Sequence, residues 1–226
     1  KKGDPGAVNV GKKGPCFICL PNISIIQRGM RLFALGGLLN FVFLVQPFPI
    51  LSAHVTLASA RHTPQILSQQ DVNFLLDATQ RSAEFSYTYN SIGAGASIEE
   101  HLHFHVFRYR LPIEDIEVEV ISESKGLKVG RLGLPWPILT LVFEGEKEKV
   151  NASLWSIVDE AQKRNKPFNI LSTHNSQGKL KVYFIPRRRE TPLSTFAHAL
   201  GVVEMAGFIL TEKTSEFSAV TEDKDI

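Results

Sequence analysis

His101-Leu102-His103-Phe104-His105 sets imidazoles at alternate positions of an otherwise apolar run. Successive side chains of a strand point to opposite faces, so this spacing predicts all of these rings on one face. Against a core such rings would need polar partners, whereas along a cleft they can attack, donate protons or bind metal. Just upstream, Asn90-Ser-Ile-Gly-Ala-Gly-Ala-Ser97 is a run of small residues that lets a backbone come close to an anion. Together the segments point to chemistry on phosphate. Of the other histidines, His54 sits in an alternating strand and reads as a satisfied core residue, while His174 and His198 read as surface or structural.

Cys16 and Cys19 are the only cysteines, too few for a secreted disulfide framework and better suited to a reducing cytoplasm. A CxxC pair can be a metal half-site, a redox pair or coincidence. Pro15 before it and Leu20-Pro21-Asn22 after it read as a turn rather than as a helix start following a strand, which favours half of a zinc knuckle.

The elements that must position these residues follow from periodicity. Phe41–Gln46 reads as an apolar strand, Pro47-Phe48-Pro49 as a break, and His54–Ala58 as the returning strand of a hairpin. Val72, Leu75, Leu76 and Thr79 recur at helical spacing, predicting a surface helix over 68–81 with Ser68 or Gln69 near its start. Phe85–Tyr89 and His101–Tyr109 alternate as neighbouring strands, giving an antiparallel sheet with a helix across it. After Leu111-Pro112 further strands are expected at Ile116–Ser122, Lys128–Arg131 and Ile138–Phe143. A helix at Asn151–Arg164 and strands at Phe168–Thr173 and Leu180–Ile185 complete the set. Strand, helix, strand, turn, strand thus occurs twice. The second copy carries Asn175-Ser-Gln-Gly178 at its turn and no histidine triplet, so as a duplicated unit it would have lost its chemistry. The expected fold is α+β, an antiparallel sheet with flanking helices and a degenerate second half. The expected division is a disordered or appended arm over 1–14, a catalytic half over 15–112 and a degenerate half over 113–226.

Bulk properties narrow the partners. At 226 residues and a formal net charge of +2, the chain can build a core and offers no broad basic field for nucleic acid. Arg187-Arg188-Arg189, the one dense basic run, reads as a solvated strand edge. The window Leu32–Val45 is the most hydrophobic, but it is shorter than the ~20 residues a bilayer span needs and reads as a buried strand. Lys1–Gly14 lacks the apolar stretch of a secretory signal, and a first residue other than Met leaves a fragment or processed chain open.

Three segments carry a resemblance: Gln46-Pro-Phe-Pro-Ile-Leu-Ser-Ala-His54, the Asn90–Ser97 turn, and His101-Leu-His-Phe-His105. Together they resemble the histidine-triad superfamily, in the galactose-1-phosphate uridylyltransferase branch, and most of all its GDP-galactose/GDP-glucose phosphorylases and diadenosine tetraphosphate phosphorylases. Leu111-Pro-Ile-Glu114, Pro167-Phe-Asn-Ile-Leu171 and Gly201-Val-Val-Glu-Met-Ala-Gly207 are similar to the same group. The resemblance implies ping-pong nucleotidyl transfer. His103 would attack the α-phosphorus of a nucleoside diphosphate sugar, its other ring nitrogen held by a backbone carbonyl. His105 would hydrogen-bond non-bridging oxygens or protonate the leaving phosphate, with His101 completing the triad. Ser97 and the amides of Gly93 to Ala96, Gly95 among them, would cradle phosphate, Asn90 would orient the leaving group or a ribose hydroxyl, and Gln46 would contact the ribose. Phe41, Phe43 and Phe48 are candidates for a base pocket and equally for core. Inorganic phosphate or a sugar phosphate would be the acceptor. By the same resemblance Cys16, Cys19, His62 and His101 would hold a structural zinc. No organic cofactor, nucleic acid or membrane partner is implied, and a homodimer is compatible with the superfamily.

This chain departs from the transferase pattern at His105, where that branch commonly has Gln and hydrolytic relatives have His. Glu99 and Glu100 also lengthen the segment before His101, and both are expected to point outward or to pair with Arg108 or Arg110. Alternative readings are a hydrolase of dinucleoside polyphosphates or nucleotide conjugates, and a nucleotide-binding module without catalysis. A zinc hydrolase using all three triplet histidines as ligands would leave the glycine turn unexplained.

Overall fold

The computed structural model describes residues 15–23, 31–35, 38–46, 49–188, 199–211 and 214–215. The expected arm over 1–14, Phe48, Arg189 and His198 lie outside the described residues. Among the described residues the strands form one antiparallel sheet. They are β1 (Arg31–Leu35), β2 (Leu38–Val45), β3 (Val55–Ser59), β4 (Ser86–Asn90), β5 (His103–Phe107), β6 (Val118–Ser124), β7 (Leu127–Leu132), β8 (Leu141–Gly145), β9 (Phe168–His174) and β10 (Leu180–Pro186). Their order across the sheet is β1-β2-β3-β5-β4-β9-β10-β8-β7-β6. Read outward in either direction from the central β4–β9 pair, each half shows the same order, so the fold is an α+β sheet built of two like units. The second unit lacks the histidines of the first.

Directly paired residues of antiparallel strands share a face, and that rule divides the sheet. On one face Phe104, Tyr89, Ile170, Val182 and Phe184 pack under helices α1 (Gln69–Arg81) and α2 (Lys147–Lys163). Helix α1 begins as its sequence predicts. The Ser68 hydroxyl accepts from the Asp71 amide at 3.3 Å and the Asp71 carboxylate accepts from the Ser68 amide at 2.8 Å, a reciprocal cap. Val72, Leu75, Leu76 and Thr79 then form its buried stripe. On the other face Phe107, Leu171, Tyr183, Ile185 and Val142 build a second core, closed by the short helix α3 (Val202–Met205). His103, His105, Thr88 and Asn90 lie on this second face.

The apolar window Leu32–Val45 is not one strand. It makes β1 and β2, paired with each other on either side of Gly36-Gly37, a turn signal that hydropathy alone hides. Arg187 corrects the reading of a solvated edge: it is 9% exposed, and its Nη1 donates to Asn169 Oδ1 and the Leu200 carbonyl, both at 2.8 Å. Those acceptors, one on the neighbouring strand β9 and one just before α3, turn a strand-end cation inward; Arg188 is exposed. No helix among the described residues is long and apolar enough to cross a membrane.

Candidate active site

The strand β5 is shorter than the triplet suggests. It carries His103 and His105, while His101 precedes it and turns toward the cysteines. His103 and His105 stand side by side with ring centroids 5.2 Å apart, and His54 extends the row at 5.2 Å from His105. His54 is buried, as read from its strand, but its polar partner is the third triplet histidine.

Hydrogen bonding fixes where the protons of this row sit. His103 Nδ1 lies 2.8 Å from the carbonyl oxygen of His101. A carbonyl can only accept, so Nδ1 carries the proton and Nε2 carries the lone pair. That lone pair makes no hydrogen bond among the described residues. Burial, the largest cause, lowers the His103 pKa to about 4, so the ring is neutral near pH 7.

His105 is wired the opposite way. The Ile50 amide donates to His54 Nδ1 at 3.4 Å, so in the neutral ring the His54 proton is on Nε2. That Nε2–H donates to His105 Nδ1 at 3.1 Å, which leaves the His105 proton on its own Nε2. Burial lowers the pKa of His54 to about 4 and that of His105 well below 6.5, with neighbouring His103 and His54 lowering the latter further. Adjacent rings thus present a bare nitrogen at His103 and an N–H at His105, one suited to attack phosphorus and the other to hold its oxygens.

Gln65, unremarked in the sequence, clamps this arrangement. Its Oε1 accepts from the His103 amide at 2.8 Å, and its Nε2 donates to the carbonyls of His103 at 3.0 Å and Asn90 at 2.9 Å. The Tyr89 hydroxyl donates to the Gln65 carbonyl at 2.7 Å. A lone Gln in a Thr-Pro-Gln loop gives no periodic signal, so only the fold reveals it.

The Asn90–Ser97 turn follows β4 and abuts the row. Asn90 Oδ1 accepts from Asn169 Nδ2 at 2.8 Å and from the Val202 amide at 2.9 Å, so its oxygen ties the turn to β9 and α3. Asn169 Nδ2 also donates to the Ala94 carbonyl at 2.7 Å, and Arg187 holds Asn169 from behind. Gly95, at φ +87°, is required twice over: a Cβ there would lie 2.6 Å from Gly201 Cα and from the Leu200 carbonyl. Two turn amides have partners already, Ala94 with the Ser91 carbonyl at 3.0 Å and Gly93 with Glu99 Oε1 at 3.2 Å. Glu99 and Glu100 are both exposed, in line with the outward orientation expected of the pair, and neither meets Arg108 or Arg110; Glu99 in addition caps the turn. Arg108 pairs with Glu84 and Arg110 with Asp115. Gln46 is half-buried just after β2, its amide donating to the His54 carbonyl at 3.4 Å, and Ser97 is exposed. Phe41 is part of the core under α1, stacked on Phe74 at 4.0 Å, and Phe43 packs against the same core.

Beside the row lies a cluster able to hold a metal ion. The ligand atoms of Cys16, Cys19, His62 and His101 all fall within 4.8 Å of one another. Cys19 Sγ is 3.1 Å from His62 Nδ1 and 3.3 Å from His101 Nδ1, and Cys16 Sγ is 3.3 Å from His101 Nδ1. The 3-10 turn at Leu20–Asn22 sets this geometry, with the Asn22 side chain donating to the Cys16 carbonyl at 2.9 Å. His101 Nε2 sits 2.8 Å from the Ser59 carbonyl, so the proton is on Nε2 and the Nδ1 lone pair faces the thiols. Two thiols and two imidazoles with lone pairs converging suit a tetrahedral, borderline-soft cation. Without one, burial and Cys16 push the Cys19 thiol up to about 11.

A family model described as the GDPGP1-like, C-terminal domain matches residues 112–225, half of the chain. A second, described as a domain of unknown function (DUF4922), matches residues 8–108. A search of curated proteins found no match. Among solved structures, yeast Ap4A phosphorylase Apa2 in complex with AMP is similar at 16% identity and a TM-score of 0.61, covering 82% of this chain and 69% of that one. The same enzyme in complex with Ap4A gives 15% identity and a TM-score of 0.62, covering 84% and 71%. A GalT-like protein from Arabidopsis thaliana aligns at 11% identity with a TM-score of 0.42, covering 66% and 74%.

Proposed function

Because this chain belongs to the GDPGP1-like family, we propose that it is a nucleotidyltransferase of the phosphorylase type working through a covalent nucleotidyl-His103 intermediate. Its substrate is a nucleoside diphosphate sugar or a dinucleoside polyphosphate. The observation that carries this reading is the opposed protonation of the adjacent rings, Nε2 bare on His103 and protonated on His105. A structural neighbour solved with Ap4A and with AMP supports a nucleotide as ligand.

In the first step His103 Nε2 attacks the α-phosphorus and the bond from phosphorus to the bridging oxygen breaks, releasing a sugar phosphate or nucleotide. No proton has to leave the nucleophile beforehand. Positive charge growing on the ring is relieved through Nδ1–H by the His101 carbonyl. The His105 Nε2–H hydrogen-bonds a non-bridging oxygen or the departing phosphate. In the second step inorganic phosphate or a sugar phosphate attacks the same phosphorus and restores neutral His103. In this reading Asn90 and Gly95 hold the turn that flanks the phosphates, Gly93 and Ser97 lie on its rim, and Gln46 meets the ribose. Cys16, Cys19, His62 and His101 fit zinc, which when bound would supply rigidity at His101 rather than chemistry.

A histidine at position 105 favours a second reading, with water as acceptor. Intact-protein mass spectrometry after exposure to GDP-glucose, ADP-glucose and diadenosine tetraphosphate tests the first. One nucleotidyl mass is expected on His103, absent in His103→Ala and discharged by inorganic phosphate. Turnover that needs no phosphate supports the hydrolase, and turnover undiminished in His103→Ala defeats both readings.

A further inference from the structure

The pairing registers relate the two halves residue by residue. Thr88 faces Leu171 across the central pair; Thr88 also faces His105, and Leu171 faces Tyr183. One strand further out, His105 faces Thr56 and Tyr183 faces Val142. Tyr183 therefore holds the place of His105, and Lys181 that of His103. The same alignment lays Gly178, at φ +75°, over Gly95, at φ +87°, each in the turn that follows a central strand.

That second position opens into a cavity of about 300 Å³, walled by Lys181, Tyr183, His174, Glu144, Glu114 and Arg110. Two buried polar atoms of its wall have no partner among the described residues. The Tyr183 hydroxyl is fully buried yet has no hydrogen bond, and neither has the buried His174 Nδ1. Tyr183 lines the cavity together with Glu114, Arg110 and Glu144. Lys181 is half-buried over the Tyr183 ring, 5.2 Å from its centroid, with no hydrogen-bonded partner among the described residues. Burial lowers its pKa, and Glu144 and Glu114 oppose that fall. Glu144 Oε1 accepts from Asn175 Nδ2 at 2.9 Å, and Glu114 Oε2 accepts from Thr173 Oγ1 at 3.3 Å. His174, read from the sequence as surface or structural, is a wall of this cavity.

We propose that the second half retains a ligand site at the position related by pseudo-symmetry to the histidine row, and that its ligand is a small phosphorylated polyol, a sugar monophosphate. The Lys181 ammonium and the Tyr183 hydroxyl take the phosphate, with Arg110 at the rim. The carboxylates of Glu144 and Glu114 keep acceptor positions for sugar hydroxyls and repel a polyphosphate chain. With Lys181 in place of the nucleophilic ring and no imidazole at the His105 position, the site binds and does not transfer. It stands independently of the reading given to His103.

Hydrogen exchange of the full chain, read by mass spectrometry over 174–182, tests this with glucose 1-phosphate, inorganic phosphate and glucose as probes. Glucose 1-phosphate is expected to slow exchange there, inorganic phosphate to need about tenfold more for the same effect, and glucose to do nothing. Lys181→Met is expected to raise the half-maximal concentration at least about tenfold, and Tyr183→Phe, which keeps the packed ring, to raise it several-fold. His103→Ala should leave the protection over 174–182 intact. No slowing at millimolar glucose 1-phosphate, equal protection in Lys181→Met, equal potency of phosphate and its ester, or protection by glucose alone would each overturn the proposal.

Discussion

In the proposed reaction His54 acts on phosphate only through His105, and that makes its contribution calculable. Replacing it with Phe removes the Nε2–H that donates to His105 Nδ1 at 3.1 Å. A hydrogen bond between neutral groups is worth about 1 kcal/mol net, or roughly fivefold in a rate. Only the part that strengthens in the transition state counts, and it does strengthen here: as His105 donates to phosphate oxygen, its Nδ1 becomes a better acceptor. Thus His54→Phe should slow nucleotidyl transfer by up to about fivefold. Removing the donor itself with His105→Ala should cost about 10² to 10³, as for a lost oxyanion donor. In the double variant the His54 change should add nothing. Single-turnover labelling of His103 by a nucleotide sugar in the four proteins of this cycle gives the numbers. Additive losses, or a His54→Phe defect as large as that of His105→Ala, would refute the wiring. His54→Gln, whose amide can still donate, should recover most of the rate.

The same residue predicts a pH response. His54 is neutral when folded and its pKa falls from 6.5 to about 4, so the unfolded chain binds more protons between those values. Stability is therefore full above the unfolded pKa and falls as pH drops from 6.5 toward 4, by roughly 3 kcal/mol from this group; between neutral pH and pH 4 wild type should therefore lose roughly 3 kcal/mol more than His54→Gln, read from denaturant midpoints. Arg187→Met strands Asn169 Oδ1 and the Leu200 carbonyl and should lower unfolding free energy by about 3 kcal/mol, with His103 labelling reduced, measured by urea titration and mass spectrometry. Gly95→Ala drives a methyl into the Gly201 backbone and should lower the melting temperature and abolish labelling together; a fully active variant would contradict the packing. Chelation should slow His103 labelling about 10- to 100-fold while leaving nucleotide binding measurable by calorimetry, since the cluster reaches the nucleophile only through His101.

Much of the fold was legible because alternation and helical spacing are local properties. The strands around His103 and Tyr87, and the helix expected to start near Ser68 or Gln69, fall where periodicity puts them, within the usual blur at their ends. Helix α2 starts at Lys147, four residues before the expected Asn151, because Glu146 offers no side-chain cap to mark the boundary. The candidate site was legible in its residue types and not in its wiring. Alternation placed His103 and His105 together, yet His54 arrives from just before the facing strand β3 and Gln65 from a loop, and their hydrogen bonds depend on register. Arg187 misled for the same reason: its partners are Asn169 on the neighbouring strand β9 and Leu200 just before α3.

The seam between β4 and β9 reaches beyond catalysis. Tyr87, Thr88, Tyr89 and Asn90 are buried, and β9 takes up the backbone edge of their strand. A chain cut after Pro112 would expose that row as a raw border of unpaired amides and carbonyls flanked by tyrosine and threonine, the kind of border that recruits another copy of itself. Two such severed pieces meeting there would restore the central pair with a histidine row at each end of the shared surface.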